Sequence, residues 1–348
     1  MKKLKNVFFN MSMTNGSFNG VEIYSLKLKD QILHTKTFNT LYIYIKSTRF
    51  LSVYRLFWNF FIMPFLVRRQ LVYSFSSHGS PFIKNQIITI HDLICFSFPA
   101  QHKFQFYYFK YLVPIIIKSS KKVVAISEFT KSEILKYYDI PKDKVVVIYN
   151  GANTLTYNKN EDDEDEFFKI AGHTPFFITV GASYVHKNIE NQLKAIALVD
   201  NITVNFIIVA KKNAYGNYLR QMAKELGLKN VIFLHYVSEN LLSKLYKEAI
   251  CNIYISSYEG FGFPPLEAAS MNTVSLVSKI EVMKEILGNN AIFVDSSSPQ
   301  AIASEIKAIY LNRNNLDTYK SGFDDLLSKF TWENAGKSVM NLIENTIN

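Results

Sequence analysis

Short runs of β-branched and aromatic residues recur along the whole chain, separated by segments whose apolar positions follow helical spacing. Val7–Phe9, Leu41–Ile45, Leu71–Phe75, Ile87–Ile90, Val123–Ile126 and Val145–Tyr149 form a first set of six. Phe176–Val180, Val204–Val209, Val231–Leu234, Ile253–Ile255, Val274–Val277 and Ile292–Val294 form a second. Helical patterns such as Ile189–Val199, Tyr218–Leu226 and Glu239–Ala249 lie between many of them. Apolar strands alternating with helices predict parallel sheets covered on both faces. Two sets of six predict two Rossmann-like halves of an α/β protein rather than one sheet.

The boundary between the halves is marked by Asn150-Gly151, which ends the first set, and by the run Glu161-Asp-Asp-Glu-Asp-Glu166 before the next strand. A run of six acids reads as a solvated linker or loop. The expected organisation is an N-terminal domain over 1–160, an acidic linker over 161–172, a C-terminal domain over 173–328 and a terminal helix over 329–348. In that last segment Thr331 stands at the cap position, followed by apolar residues at helical spacing through Ile343.

Composition narrows the class. With 348 residues, 48% hydrophobic and 20% charged, the chain is globular and long enough for two ordinary domains. Its two cysteines, Cys95 and Cys251, offer neither a disulfide framework nor metal spacing, so a reduced cytoplasmic setting is expected. Val7–Phe9 is too short for the apolar region of a signal peptide. The longest apolar run, Leu56 to Val67, contains Asn59 and Pro64 and is about half a membrane span.

The net charge of +10 is unevenly placed. Residues 1–160 carry 22 Lys and Arg against 7 Asp and Glu, whereas the rest carries 17 against 22. A basic first half points to an anionic surface or substrate. No nucleic-acid-binding motif accompanies it, so nucleic acid is not an expected partner. Aromatic bulk beside Arg68 and Arg69, and mixed aromatics and lysines from Lys103 to Lys122, suit the interface of an anionic membrane. The plainer alternative is core helices with solvated basic faces.

The most informative stretch is Ser257-Tyr-Glu-Gly-Phe-Gly-Phe-Pro-Pro-Leu-Glu-Ala-Ala269. A strand leads in, a Gly-containing turn follows, and two prolines sit where a helix would start, because N–H groups there have no intrahelical partner. Those N–H groups, with Gly260, Phe261, Gly262 and Phe263, predict an anion site at a strand's carboxyl end. Glu259 at the loop mouth and Glu267, expected in the first helical turn, are eight positions apart and can face one polyhydroxylated ligand. Phosphate held by N–H groups and hydroxyls held by carboxylates are what a nucleotide sugar requires. Simple complementation of a helix dipole explains neither the Gly-Phe-Gly nor the second glutamate.

Other candidates sit at strand ends. His91 and Asp92 end a buried strand. Lys187 follows another, where it supplies a point positive charge to a diphosphate, with Asn188 as a candidate helix cap. Asn15 to Glu22 follows the first strand without the G-x-G-x-x-G spacing, which argues against a dinucleotide site, yet glycine there allows close backbone approach to a phosphate. Ser127 is a natural cap after the fifth strand.

The Glu259-to-Glu267 spacing resembles the glutamate-x7-glutamate motif of retaining glycosyltransferases of family four, and His91-Asp92, Lys187-Asn188 and Leu234 to Glu239 match further elements of that family. The resemblance implies a GT-B fold of the bacterial polysaccharide and lipopolysaccharide type. In that fold two Rossmann-like domains face a cleft and a C-terminal helix crosses back to the first. It implies a nucleotide-diphosphate sugar donor, mannose-like as the leading guess, and a cell-surface glycan or lipid-linked acceptor; the basic, aromatic first half adds the expectation of an enzyme peripheral on the membrane's inner face. Glu259 would hold the donor sugar, Glu267 the ribose, His91 the sugar from the N-terminal domain, and Lys187 the diphosphate. Gly20 would approach the donor, with Gly16 in reserve. Backbone near Val237 would read the base, while Asp92 and Ser127 would lie on the acceptor side. No metal or other cofactor is expected: the only Asp-x-Asp, Asp163 to Asp165, lies in the acidic run. The family's usual arginine is missing near Ala182 and Ser183, with His186 its only visible substitute. A GT-B epimerase and a noncatalytic nucleotide-sugar-binding protein are the alternatives.

Overall fold

The computed structural model describes residues 4–14, 16, 20–33, 35, 37–45 and 51–347. It divides into two compact units: the chain up to Gly151 together with the segment from Phe330 onward, and Ala152–Lys329. Each is built around one parallel six-stranded sheet.

In the first unit β1 (Asn6–Asn10), β2 (Asn39–Ile43), β3 (Leu71–Ser74), β4 (Gln86–Ile90), β5 (Lys122–Ala125) and β6 (Val145–Val147) lie in the order β2-β1-β3-β4-β5-β6. In the second, β7 (Phe176–Val180), β8 (Asn205–Val209), β9 (Val231–Leu234), β10 (Cys251–Tyr254), β11 (Ser275–Ser278) and β12 (Ile292–Val294) lie in the order β12-β11-β10-β7-β8-β9. All twelve strands coincide with the twelve apolar runs to within about two residues at the ends. Strands buried on both faces need continuous rather than alternating hydrophobicity. Every residue of β4, β10 and β11 is buried.

The strand order reverses between β1 and β3 in one sheet and between β7 and β10 in the other. In open parallel sheets such switch points open a crevice beyond the strands' carboxyl ends. Both groups of candidate residues follow these strands.

The acidic run is not a linker. Glu161–Ala171 is a helix of the second unit, capped by Asn160, whose side-chain oxygen accepts from the Asp163 amide at 2.8 Å. Its acids crowd the N-terminal turns, where they complement the helix dipole. Phe167 and Ala171 are buried in the core cluster around Ile178 and Tyr246. The terminal helix is Trp332–Ile347; Thr331 accepts from the Asn334 amide at 3.1 Å. It packs on helix Gly20–Ile32, and Gly336 marks the closest approach, since a Cβ there would lie 2.5 Å from Cβ of Gln31.

Two helical runs of the first unit share an irregularity. Leu51–Val67 contains a π turn over Trp58–Ile62 before Pro64, and Lys103–Ser119 contains one over Tyr108–Leu112 before Pro114. Proline removes an N–H and crowds the preceding carbonyl, and a wider turn relieves both. Among the described residues no helix is long and apolar enough to cross a membrane.

Candidate active site

In the second unit, Lys187 and Glu259 meet at the β7/β10 switch point. Lys187 ends a one-turn 3-10 helix, Val185–Lys187, after β7. Its Nζ donates to Glu259 Oε1 at 2.6 Å and to the Tyr254 hydroxyl at 2.9 Å, and lies 4.8 Å from the Tyr254 ring centre. The two charged side chains are only 16% and 12% exposed. Burial alone would raise the Glu259 carboxyl; the Lys187 ammonium, helped by His186 and the hydrogen bond, outweighs it and holds the group below its ordinary range. Glu259 is therefore an anion at neutral pH.

The backbone around the pair is pinned. Asn188 occupies the helix-cap position but does not cap: it adopts a left-handed conformation (φ 58°), and its amide donates to the carbonyls of Ile255 at 3.2 Å and Ser296 at 2.7 Å. The Ser257 amide donates to the His186 carbonyl at 2.7 Å, tying the two loops together. Gly262 precedes helix Phe263–Ser270 with φ 108°, a conformation that requires glycine, and a Cβ there would also press on the flexible end of Met283 at 2.5 Å. Phe261 is buried, its ring 5.3 Å from that of Phe263.

Glu267 is the fifth residue of that helix, not in its first turn as expected, because Phe263 and the two prolines occupy the first turn. Burial pushes its carboxyl up to about 7; the nearby Tyr246 hydroxyl draws it back, and the Glu239 charge adds to the rise. That hydroxyl is buried beside Glu267. Glu239 opens the helix that follows Val237, so the Val237 loop and Glu267 share one neighbourhood. Ala182 and Ser183 are buried, and Ser183 is tied to the Lys211 amide and the Asn213 side chain.

In the first unit, His91 follows β4. Its Nε2 is 2.8 Å from the Phe75 carbonyl and therefore carries the proton; Tyr24 meets the ring edge-on at 4.6 Å. Burial lowers its pKa to about 4 against the opposing pull of that carbonyl, so His91 is neutral at physiological pH, with Nδ1 as an acceptor. Asp92 accepts from the Ile94 amide at 3.1 Å. Ser127 is fully buried; it caps helix Glu128–Tyr137 through the Thr130 amide at 3.0 Å and donates to the Thr130 hydroxyl, which reaches the His91 carbonyl at 3.4 Å. Its hydroxyl thus serves the backbone behind His91.

Gly20 opens helix Gly20–Ile32 with open space where a Cβ would stand, whereas the reserve glycine, Gly16, has φ 80° and donates its amide to buried Glu22 at 2.7 Å. Loop positions 15 and 17–19 lie outside the described residues. His91, Asp92 and Val21 line a cavity of about 270 Å³ with Arg55, His78 and Tyr108. Sequence reasoning missed Tyr254, hidden in a strand that reads as core, and Arg55, a single charge in an aromatic run. Among the described residues no three His, Cys, Asp or Glu side chains converge as a metal site.

Two such sheets, each with its candidate residues beyond a switch point, define a GT-B fold. The model of glycosyl transferases group 1 matches residues 160–321, and that of glycosyltransferase family 4 matches residues 44–154. The O-antigen chain mannosyltransferase RfbU of Salmonella typhimurium is 35% identical over 76% of this chain and 70% of its own. O-antigen chain mannosyltransferase B of Escherichia coli is 24% identical over 76% and 72%. The crystal structure of Anabaena Alr3699/HepE in complex with UDP-glucose superposes with a TM-score of 0.75 over 98% of this chain and 99% of its own, at 14% identity. The chain belongs to the family-four glycosyltransferases and is a glycosyltransferase.

Proposed function

We propose that this enzyme moves a mannose-like sugar from a nucleotide-diphosphate sugar to a growing cell-surface or lipid-linked glycan, with retention of anomeric configuration and without a metal. The reading is carried by the Lys187–Glu259 pair at a switch point. The sugar and glycan classes come from the relative that is 35% identical and named as an O-antigen chain mannosyltransferase. Lys187 is the cation for the leaving diphosphate, assisted by the helix beginning at Phe263. As the diphosphate takes up part of the ammonium, the Glu259 carboxylate is released toward the donor-sugar hydroxyls. Glu267, once ionised, accepts from the ribose hydroxyls. His91, neutral and fixed by Phe75, can orient a hydroxyl through Nδ1 but holds no proton to give as an acid at neutral pH.

The acceptor lies at an anionic membrane in this reading. Phe57, Phe61 and Phe65, four residues apart, are exposed on one helical run, with Phe65 81% exposed, and Phe82 stands beside Phe61. Phe104, Tyr107, Tyr111 and Ile115 make a second exposed stripe. Apolar stripes flanked by Arg68, Arg69, Lys103 and Lys110 suit a lipid headgroup boundary. Lys122 is engaged by Asp143, and the Lys121 ammonium donates to the Thr346 carbonyl while keeping its charge.

Incubation with labelled GDP-, UDP- and dTDP-sugars, with and without EDTA, tests the proposal. Transfer to a lipid-linked glycan in the presence of EDTA is expected. A changed sugar without transfer would mean an epimerase, and binding without turnover a sensor.

A further inference from the structure

We propose that the first-unit cavity is a sugar-phosphate site, in which Arg55 takes a phosphate group attached to the acceptor sugar. The inference rests on the glycosyltransferase reading and names the acceptor chemistry it leaves open. Arg55 is 7% exposed, and its Nε donates to the Ser12 carbonyl at 2.8 Å. Among the described residues its guanidinium forms no ion pair and no further hydrogen bond. A buried arginine without a carboxylate is costly unless an anion completes it. Its planar fork matches a phosphate.

The walls support the same ligand. Arg55 and His78 line the cavity, but His78 cannot share the charge: its ring stacks on Tyr108 with centres 5.2 Å apart, and burial, reinforced by the Arg55 charge, lowers its pKa to about 3. Among the described lining residues the positive end is therefore Arg55. Ser76 and Gln105 add hydrogen-bonding groups, and Asp92 with His91 gives acceptors for sugar hydroxyls. Leu56 and Phe104 supply apolar wall for a ring face. A volume of about 270 Å³ accommodates one phosphorylated sugar. The cavity opens beyond β1, β3 and β4, at the first sheet's switch point. It lies between the two helical runs that carry the exposed aromatic stripes, which suits an acceptor whose phosphate continues into a lipid.

Calorimetric titration of the full chain with glucose 1-phosphate, glucose and inorganic phosphate tests the site, using wild type, Arg55→Gln and Lys187→Ala. Glucose 1-phosphate should bind wild type and Lys187→Ala alike and lose at least about tenfold in Arg55→Gln. Unchanged affinity in Arg55→Gln, or loss confined to Lys187→Ala, would overturn the inference, as would inorganic phosphate binding as tightly as glucose 1-phosphate. Should Arg55→Gln not fold, phenylglyoxal modification of wild type decides. Glucose 1-phosphate should protect Arg55 in the peptide map, and equal modification with and without it overturns the site. Failure here leaves donor binding by the second unit intact. Failure of wild type to bind any nucleotide sugar would instead remove the proposed function while leaving anion capture by Arg55 measurable.

Discussion

Lys187 and Arg55 are both buried cations beyond a switch point, yet one has its counter-ion built in and the other does not. Lys187 lies 2.6 Å from Glu259, in a loop pair cross-linked by Asn188 and the Ser257 amide. Among the described residues the Arg55 guanidinium hydrogen-bonds only to a backbone carbonyl. A site with an internal pair is charge-balanced before its ligand arrives, and binding redistributes contacts already present. Arg55 forms no ion pair among the described residues, although Asp92 lines the same cavity. In the proposed reading the difference matches separate tasks, with the second unit taking a diphosphate donor and the first selecting a ligand by its charge.

The contrast is broken most severely by Lys187→Ala. Removing one partner of a buried pair leaves the other unpaired, a loss of about 3–5 kcal/mol. Chemical denaturation should register most of it, and the double variant with Glu259→Gln should recover stability. Neither should recover transfer, expected to fall by roughly 10²–10³-fold with the lost leaving-group stabilisation. Full activity in Lys187→Ala would detach the pair from catalysis.

Glu267 sharpens the comparison through pH. Its carboxyl rises from an ordinary value of 4.5 to about 7 in the folded chain, a difference worth roughly 3 kcal/mol. The folded pKa is the higher one, so the stability linked to the neutral form is fully present below 4.5 and lost as pH rises through 7. Glu267→Gln should therefore be more stable than wild type at pH 8 and equal to it near pH 4. Donor affinity should rise between pH 6 and 8 in wild type and stay flat and weaker in Glu267→Gln. Parallel profiles for both proteins would exclude Glu267 from donor binding.

The proposed membrane attachment would extend the proposed anion site of the first unit to a surface. Each basic residue near an anionic bilayer contributes about 1 kcal/mol. Wild type should sediment with anionic vesicles at low salt and leave them at high salt. Replacing Arg68, Arg69, Lys103 and Lys110 by Ser should weaken sedimentation, and Phe65→Ser should lower the residual binding at high salt. Equal partitioning onto neutral vesicles would remove the electrostatic anchor. The smallest effect belongs to Ser127→Ala, which should lower stability by about 1 kcal/mol through the lost cap, with little change in donor affinity.

The strands were legible because burial on both faces writes itself as unbroken apolar runs, as in Ile87–Ile90. The loop before helix Phe263–Ser270 was legible because glycine and proline have few other uses in that order. The acidic helix was not: six like charges mask the two positions, Phe167 and Ala171, that bury it. Asn188 was read as a cap from its position, whereas its left-handed backbone turns the amide toward Ile255 and Ser296. Arg55 was invisible because no local pattern announces that a lone arginine in an aromatic helix faces inward. Only the packing of Leu51–Val67 against the sheet shows it.

Calorimetric titration of the donor selected by the transfer screen into wild type, Lys187→Ala and Arg55→Gln tests the division of labour most directly. Donor affinity should fall at least about tenfold in Lys187→Ala and stay unchanged in Arg55→Gln. Donor affinity that survives Lys187→Ala, or that collapses in Arg55→Gln, would contradict it.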